Sequence, residues 1–433
     1  MAEVSICIPA YRAAGFIRQT LDSVLNQTHS EIRVLVSIDS NDDDTETICR
    51  GYSPPGGLRI WVQERNLGWA GNVNFLLDQV DTPYFALLPH DDLLEPDYIA
   101  ALLEALKQAP DCVFAQSHMQ QFGTNENLRV ATELRGNLDE RLLQFYLKGA
   151  SGLPLRAVTD SGILKQGHRL RYNRHDSFAA EVLWGLEALC YGGGCVVPRP
   201  LYLKHTRPDS LIPGRKVWSP AKRLDALRIH SAQAKRVLIE HIENPQMRVL
   251  ALMACDAWGQ KYIETAKYFE LENAPKHGEV LLPVLSQMPV EGDAAIDQAG
   301  IDSLLKDPRT SMIKSRMRFA DGLRLMHDGK MADAARLFRE AFELDRNSPQ
   351  ALLRQGHCLI KNKQFDDALE IADSGGSLFP MNGEFAVLGA RAAFGLHRLD
   401  ESRAFAELAL EYPQQRRSAE AFLAMIAKMQ SAC

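Results

Sequence analysis

The chain has 433 residues, of which 46% are apolar and 24% charged, and a formal net charge of −6. This length is too great for one ordinary domain, so we expect two or three domains. The acidic balance, without a large basic block, argues against a main role in binding nucleic acid. No apolar run approaches the roughly 20 residues that span a bilayer. The eight cysteines are scattered without a CxxC pair, which is typical of reduced thiols.

Four short apolar runs alternate with helical patterns in the first part of the chain. The predicted strands are Val4–Pro9, Ile32–Ile38, Leu58–Val62 and Tyr84–Leu88. Apolar residues recur at helical spacing from Phe16 to Gln27, and further helices are expected from Thr45 and from the loop Asn66–Asn72. Strands that alternate with helices predict a mostly parallel sheet with helices on both faces.

Polar clusters directly follow three of these predicted strands. They are Pro9-Ala10-Tyr11-Arg12, the run from Asp39 through Asn41 and Asp42 to Asp44, and His90-Asp91-Asp92. Ligands of such sheets bind outside the carboxyl ends of the strands, where we expect the three clusters to meet. The acids of the second cluster can accept hydrogen bonds from a base and from ribose hydroxyls. Asp91 and Asp92 can ligate Mg²⁺ or Mn²⁺, which prefer oxygen ligands.

Each cluster also has an ordinary structural interpretation. The Asp42–Asp44 run is typical of a solvated turn or a helix start, and Asp91 can cap the helix that begins near Pro96. His90 fits a packing residue better than a ligand. The glycines of the loop Asn66–Asn72 allow the backbone to approach either a ligand or a neighbouring strand closely.

Together these motifs resemble those of a family 2 glycosyltransferase of the GT-A fold, over roughly residues 3–215. In that family the first strand ends in Pro-Ala-Tyr-Asn, and here it ends in Pro9-Ala10-Tyr11-Arg12. The second ends in an Asp-Asp-Gly-Ser-Thr-Asp-like run, here Asp39-Ser40-Asn41-Asp42-Asp43-Asp44. The third segment carries Asn-x-Gly and then a Gly/Arg-Asn pair, here Asn66, Gly68, Gly71 and Asn72.

The metal motif of the family, Asp-x-Asp-Asp, is altered in this chain. It reads Pro89-His90-Asp91-Asp92, so its first acid is missing and the last two remain. The resemblance implies that Asp91 and Asp92 hold Mg²⁺ or Mn²⁺ on the diphosphate of a nucleotide sugar. It also implies that the first three motifs and His90 contact this donor.

A later segment supplies candidates for a catalytic base. It reads His175-Asp176-Ser177-Phe178-Ala179-Ala180-Glu181-Val182-Leu183-Trp184. The family has an Asp here, shortly before a Trp or Leu, that takes the proton from the acceptor hydroxyl. Alignment on Trp184 brings Glu181 to that place, and Asp176 is the second candidate. The alternative is a surface glutamate without a catalytic role.

Two later apolar runs, Cys112–Ala115 and Cys195–Pro198, are further predicted strands, and basic residues follow the second of them. The family ends its domain with a Leu-Tyr-x-x-Arg-x-His-like segment that folds over the diphosphate. Lys204, His205 and Arg207 can supply the positive charge here, which would stabilise the departing nucleoside diphosphate. A basic surface loop is the alternative. The earlier segment around Arg156 is expected to wall the acceptor side.

From about residue 311 the sequence repeats with a period of 34 residues. Gly322 and Gly356 are one period apart, and so are Ala334, Ala368 and Ser402. This pattern resembles tetratricopeptide repeats, with three units over about 311–414 and a capping helix near Ser418–Met429. Such helix pairs stack into a solenoid, which implies a protein partner or self-association. An unrelated helical bundle is the alternative.

We therefore predict a GT-A domain at residues 1–215, an all-α linker at 216–305 and helical repeats at 306–433. The predicted function is metal-dependent, inverting transfer of a sugar to a hydroxyl acceptor, in cell-surface polysaccharide or glycolipid synthesis. The rival hypothesis is a catalytically inactive GT-A module that acts as a scaffold. A second rival, a nucleotidyltransferase, would need a glycine-rich, basic loop after the first strand, and Pro9-Ala10-Tyr11-Arg12 is not such a loop. With no signal peptide pattern, we expect a cytoplasmic protein, or one peripheral at the inner face of the membrane.

Overall fold

A computed structural model describes most of the chain. It covers residues 3–39, 42–54, 56–124, 126–148, 150–207, 218–264, 311–346, 348–380, 382–412 and 415–430. The chain divides into two compact units, residues 1–259 and 260–433. None of the described helices combines the length and the apolar character that crossing a bilayer requires.

The first unit is built on a sheet and the helices that cover it. Its described strands are β1 (Val4–Ala10), β2 (Ile32–Ile38), β3 (Leu58–Val62), β4 (Tyr84–Leu87), β5 (Leu93–Leu94), β6 (Cys112–Gly123), β7 (Leu128–Arg129), β8 (Val158–Asp160) and β9 (Gly193–Thr206). Its described helices are α1 (Ile17–Leu25), α2 (Thr45–Arg50), α3 (Gly68–Asp78), α4 (Tyr98–Gln108), α5 (Leu138–Leu147), α6 (Gly162–Lys165), α7 (Ala180–Ala188), α8 (Pro220–His241) and α9 (Pro245–Glu264). Helix α9 continues past the boundary between the units.

The strand order is β3-β2-β1-β4-β8-β6-β9-β5, with β7 paired to β6. Strand β1 is buried throughout and runs parallel to β2 and β4 on its two sides. Strand β8 is antiparallel to both β4 and β6, so β6 and its parallel neighbour β9 run in the direction of β1. The predicted mostly parallel, mixed sheet is confirmed. It brings the carboxyl ends of six strands to one edge.

Two strands are longer than the sequence predicts. Strand β6 continues to Gly123, and β9 continues through the basic segment to Thr206. The two strands pair in parallel along nearly their whole length, from Cys112 opposite Gly193 to Gly123 opposite Thr206. The polar composition from Met119 to Asn137 predicts irregular structure, but the backbone ladder between the two strands extends β6 into this segment. As a result, the end of β9 lies beside the end of β4.

The second unit is helical in its described part. Its helices are α10 (Ser311–His327), α11 (Met331–Leu344), α12 (Pro349–Lys361), α13 (Phe365–Leu378), α14 (Glu384–Gly395), α15 (Leu399–Leu410) and α16 (Arg416–Gln430). Helices α10 to α15 form three successive pairs, as the repeat pattern predicts. A Cβ at Gly322 would lie 2.9 Å from the Phe338 ring, so this repeated glycine lets α10 and α11 approach closely.

The predicted linker is described only in part. Helices α8 and α9 belong to it, whereas residues 265–310 lie outside the described residues. Residues 216–259 of the linker fall within the first compact unit. The predicted boundary at 215 lies among residues 208–217, which are also outside the described part of the chain.

Candidate active site

The ends of β1 and β2 meet through charged and backbone contacts. Arg12 binds Asp42 with two hydrogen bonds, from Nε at 3.0 Å and from Nη2 at 2.8 Å, on an exposed surface next to the exposed Tyr11. The Asp39 carboxylate is buried, and its Oδ1 accepts a hydrogen bond from the backbone N–H of Leu67 over 2.6 Å. Burial raises the pKa of Asp39, although this bond opposes the shift. Asn41 lies outside the described residues.

The loop before α3 is held against these two strands. Asn66 accepts a hydrogen bond from Gly68 N–H at 2.8 Å through its side-chain oxygen. The buried Asn72 amide donates to the Ser37 carbonyl at 3.0 Å and, more weakly, to Ala10 at 3.4 Å. At the buried Gly71, an added Cβ would lie 3.0 Å from the Leu67 Cβ and 3.2 Å from the Tyr172 hydroxyl. The start of α3 is therefore fixed next to the first two polar clusters.

The third cluster contacts the first through His90. Its Nδ1 lies 3.2 Å from the carbonyl oxygen of Pro9. Burial lowers the pKa of His90, an effect that the neighbouring Asp91 opposes. The hydroxyl of Thr20 donates to the backbone carbonyls of His90, at 2.8 Å, and of Asp92, at 3.0 Å. These contacts hold the end of β4 beside the end of β1.

Asp92 is buried, with 1% of its surface exposed. Its Oδ2 accepts a hydrogen bond from the Tyr202 hydroxyl at 2.7 Å, and its Oδ1 accepts one from the His205 N–H at 2.9 Å. Burial raises the pKa of Asp92, while Lys204 and Arg156 oppose that shift. Because both carboxylate oxygens already have protein donors, Asp92 ties β4 to β9.

Asp91 lies nearer to solvent and faces the end of β9. Its Oδ2 is 3.0 Å from Nε of Arg207. The Arg207 guanidinium lies over the Phe16 ring, 4.2 Å from its centroid. The ring of His205 stacks on Phe122 with 4.7 Å between the ring centroids. The basic segment predicted to contact the diphosphate therefore meets the acidic pair.

A second buried cation, Arg156, lies behind Asp92. Its Nε is 3.9 Å from the Asp92 Oδ2, and its Nη1 donates to the Gly152 carbonyl at 3.1 Å. Although burial disfavours its charge, Tyr202 and Asp92 raise the pKa of Arg156, and Glu181 acts in the same direction. Arg156 in turn, together with burial, lowers the pKa of Lys204. The site thus contains closely spaced cations and carboxylates that act strongly on one another.

Glu181 stands in the first turn of α7 and points into this group of charges. A Cβ at Gly152 would collide with its side chain, so the glycine backbone forms the wall against which Glu181 lies. Its negative charge raises the pKa values of both Arg156 and Lys204. A carboxylate in this position can accept a proton from a hydroxyl bound in front of it.

The turn before α7 has an uncommon backbone. Asp176, Ser177 and Ala179 have φ angles of 49°, 49° and 55°, in the left-handed region. For residues other than glycine this conformation costs on the order of 1–2 kcal/mol each. The Asn173 side chain binds the turn internally, accepting from the N–H groups of His175 at 3.0 Å and Phe178 at 3.2 Å.

Asp176 occupies a different environment from Glu181. Its side chain is 63% exposed and lies 3.7 Å from the Lys222 ammonium of α8. Glu181 faces Arg156 and Lys204, whereas Asp176 faces a helix at the surface. Of the two candidate bases, Glu181 is therefore the one that lies near Arg156, Lys204 and the acidic pair.

The donor set around Asp91 suits a divalent ion that is bound together with phosphate. The Asp91 side chain is 13% exposed. Among the described residues, no group of three or more His, Cys, Asp or Glu is arranged to hold a metal. Mg²⁺ and similar ions commonly use one or two carboxylates and complete their shell with phosphate oxygens and water. The single carboxylate of Asp91 fits that mode of binding, with Asp92 as its buried support.

Arg156, Tyr202 and Gly152 contact the charged groups of the site but were not among the predicted binding or catalytic residues. Arg156 was expected only to wall the acceptor side, and no role was expected for Tyr202 or Gly152. The available signal was a lone arginine within the apolar segment Leu153–Val158, since a buried cation requires acidic partners. Tyr202 belongs to the Leu-Tyr pair of the family-like segment, but the sequence does not indicate its contact with Asp92, which is 110 positions away in the chain.

Comparison with known families matches two parts of the chain. Residues 5–163 match the profile of glycosyl transferase family 2, and residues 325–388 match a tetratricopeptide repeat. Both matches confirm the predicted resemblances. The candidate base at Glu181 and the basic end of β9 lie beyond the first matched segment.

Individual proteins also resemble parts of the chain. An uncharacterized glycosyltransferase of Rickettsia typhi is 34% identical over 105 residues, which cover 24% of this chain and 32% of the relative. A processive diacylglycerol beta-glycosyltransferase of Mycoplasma pneumoniae is 28% identical over 108 residues, with 24% and 32% covered. The aligned segment spans about a third of the length of these curated relatives. The S. aureus TarS 1-349 structure in complex with UDP-GlcNAc superposes with a TM-score of 0.49 at 15% identity, covering 80% of this chain and 92% of that one.

Proposed function

We propose that this protein, whose residues 5–163 form a glycosyl transferase family 2 domain, transfers a sugar from a nucleoside-diphosphate donor to a hydroxyl acceptor. One observation supports this proposal. The Asp91–Arg207 pair and the charges of Glu181, Arg156 and Lys204 lie together at one edge of the sheet. A proton acceptor for the hydroxyl and positive charge beside the diphosphate are the groups that such a transfer requires.

The nucleoside would bind at the ends of β1 and β2. Hydrogen-bond acceptors for a base and a ribose are the carboxylates of Asp39 and Asp42. The backbone of the loop at Asn66 offers both donors and acceptors. Tyr11 and Arg12 are exposed beside them and are available to a ligand. The residues proposed to bind the nucleotide sugar are Pro9, Ala10, Tyr11, Arg12, Asp39, Asn41, Asp42, Asn66, Gly71, Asn72, His90, Asp91, Lys204, His205 and Arg207.

Glu181 is proposed as the general base. Its carboxylate would take the proton of the acceptor hydroxyl as the acceptor oxygen bonds to the anomeric carbon. The bond from that carbon to the diphosphate breaks in the same displacement, so the configuration inverts. Lys204 and Arg207 would stabilise the negative charge that builds up on the departing diphosphate.

Asp91 is proposed to hold Mg²⁺ or Mn²⁺, supported by Asp92. When bound, the ion neutralises charge on the diphosphate. Chelation with EDTA is therefore expected to stop donor turnover, and added Mn²⁺ to restore it. Asp91→Asn should raise the Mn²⁺ concentration for half-maximal rate by about tenfold or more, since it removes the carboxylate proposed to bind the ion. Full activity in EDTA would contradict the role of the metal.

The acceptor and the partners are further parts of the proposal. The acceptor is proposed to be lipid-linked or a polysaccharide. The lipid alternative is supported by the name of the M. pneumoniae relative, which includes diacylglycerol. A peripheral position at the inner face of the membrane would suit such an acceptor. The repeats at 325–388 are proposed to bind a protein partner or a second copy of the chain.

A donor panel tests the proposed activity. The full chain is incubated with UDP-, GDP- and dTDP-sugars and Mn²⁺, and released nucleoside diphosphate is measured with water as the default acceptor. Calorimetry with UDP, GDP and dTDP measures binding independently of turnover. We expect one nucleotide to bind and its sugars to be hydrolysed slowly. Absence of both turnover and binding would instead favour a scaffold without catalytic function.

A further inference from the structure

The turn that carries Glu181 into the site is held from outside the family-matched segment. Three residues of this turn, Asp176, Ser177 and Ala179, have left-handed backbone angles. Such a conformation persists in residues other than glycine only where the surroundings hold it in place. Helix α7 starts directly after the turn, so the conformation of the turn determines the position of Glu181 in the first turn of α7.

One carboxylate of α8 binds both residues at the start of this turn. The Oδ2 of Asp225 accepts hydrogen bonds from Arg174, over 2.6 Å from Nη2 and 3.2 Å from Nε. The same oxygen lies 2.6 Å from Nε2 of His175. The bonds from His175 and then from Arg174 lower the pKa of Asp225, so its carboxylate is ionised at neutral pH.

Aromatic and ionic contacts hold the other side of the turn. The Phe178 ring lies 6.2 Å from the Trp218 ring and 6.5 Å, edge to face, from His230 of α8, measured between centroids. Asp176 pairs with Lys222 at 3.7 Å. Helix α8 and Trp218 therefore contact the turn at three places: its first residues, Asp176 in its middle, and the Phe178 ring.

We infer that Asp225 is a positioning residue for Glu181. By binding Arg174 and His175 it keeps the turn in its left-handed form, and the turn fixes the Glu181 carboxylate against Gly152. Helix α8 thereby belongs to the catalytic unit rather than serving only as a connection to the repeats. This inference rests on the proposed role of Glu181 as the base.

The test compares two aspartates that each bind two donors near α8 and α9. Asp225→Ala removes the contact with the turn. Asp139→Ala is the matched control, because Asp139 accepts from the N–H groups of Glu243, at 3.1 Å, and Asn244, at 2.9 Å, at the start of α9. Asp225→Glu is the conservative variant, which keeps a carboxylate within reach of His175.

Two measurements on the full chain separate positioning from general destabilisation. Hydrogen exchange followed by mass spectrometry reports the amides of residues 177–183. Turnover of a hydrolysed donor from the UDP, GDP and dTDP panel gives kcat and KM separately. Asp225→Ala is expected to speed exchange in this peptide and to lower kcat by about 10- to 100-fold, with donor KM within about twofold of wild type. Asp139→Ala should change neither, and Asp225→Glu should recover part of kcat.

Each other outcome overturns the inference. Unchanged exchange of residues 177–183 in Asp225→Ala shows that Asp225 does not hold the turn. Faster exchange with an unchanged kcat shows that the turn does not position the base. Equal loss of kcat in Asp139→Ala shows a general effect of loosened helices. If the wild-type chain neither turns over nor binds any donor, the proposed function fails, and the positioning role fails with it whatever the exchange result.

A second variant guards against misfolding of Asp225→Ala. His175→Gln removes the imidazole that binds Asp225 and leaves the carboxylate in place. Asp225→Ala already removes the contact between His175 and Asp225, so the double variant should lose no more kcat than the more damaging single variant. Strictly multiplicative losses would overturn the coupling.

Discussion

The hydroxyl of Tyr202 donates a hydrogen bond to the Asp92 carboxylate over 2.7 Å, joining the middle of β9 to the end of β4. Both residues are almost completely buried. The second oxygen of Asp92 accepts from His205 N–H, so the position of the basic segment depends on this carboxylate. The arrangement makes Asp92 a structural support, and we propose that Asp91, which is nearer to solvent, faces the ligand.

Loss of the Tyr202 hydroxyl should destabilise the first unit. Tyr202→Phe leaves a buried carboxylate with one donor fewer, and we expect the free energy of unfolding to fall by about 1.5–3 kcal/mol. Tyr52→Phe is the matched control, since Tyr52 donates to the more exposed Asp22 at 2.8 Å. That loss should stay below about 1 kcal/mol. Urea unfolding measures both, and equal losses would contradict the supporting role of Asp92.

The ends of the first four strands could be predicted from the sequence for a physical reason. Each is an apolar run that stops at polar residues, and the observed β2 and β3 have the predicted bounds, Ile32–Ile38 and Leu58–Val62. Contacts between residues far apart in the chain could not be predicted in this way, because no local sequence pattern accompanies them. The partnership of Asp92 with Tyr202 depends on the β6–β9 ladder, and that of His175 with Asp225 depends on how α8 packs.

Substitutions at Glu181 and Asp176 distinguish the two candidate bases. Glu181→Gln keeps the size of the side chain but removes the proton acceptor, so kcat for donor turnover should fall by about 10²- to 10⁴-fold. Asp176→Asn weakens an exposed ion pair with Lys222, and kcat should change by less than about threefold. Calorimetry should show nucleotide affinity near that of wild type in both variants. A large loss in Asp176→Asn with full activity in Glu181→Gln would move the role to Asp176.

Buried His230 should make folding sensitive to acid. It is 1% exposed, and neither ring nitrogen has a hydrogen-bond partner among the described residues. Burial lowers the pKa of His230 to about 4, against about 6.5 in an unfolded chain. The unfolded state therefore binds more protons between these values, and stability rises with pH. The contribution of His230 is full above about pH 6.5 and is lost as the pH falls towards 4.

His230→Leu tests this linkage. For His230 alone, the free energy of unfolding should fall by about 2 kcal/mol between pH 7.5 and pH 5. The variant should lack this component and be at least as stable as wild type at pH 7.5, since an apolar side chain replaces an unsatisfied polar one. The difference between the two proteins isolates His230 from other groups, such as His168, whose pKa burial lowers to about 3. Parallel pH profiles would contradict the assignment.

Two adjacent glycines of α13 distinguish packing from helix propensity in the repeats. Gly375 is one period from Ala341 and from Ala409, yet a Cβ there would collide with the Phe385 ring. At Gly376 a Cβ would meet nothing within 4 Å. Gly375→Ala is therefore expected to lower the unfolding free energy of the second unit by about 1–3 kcal/mol. Gly376→Ala should raise it by about 0.5–1 kcal/mol, because alanine loses less backbone entropy in a helix.

Urea unfolding of the full chain, followed by circular dichroism, measures both glycine variants. Donor turnover is the internal control and should stay at the wild-type rate in each, because the proposed site lies in the first unit. Equal effects of the two substitutions on stability would show that the Phe385 ring moves aside at little cost. In that case close packing against Phe385 would not be the reason for glycine at this position of the repeat.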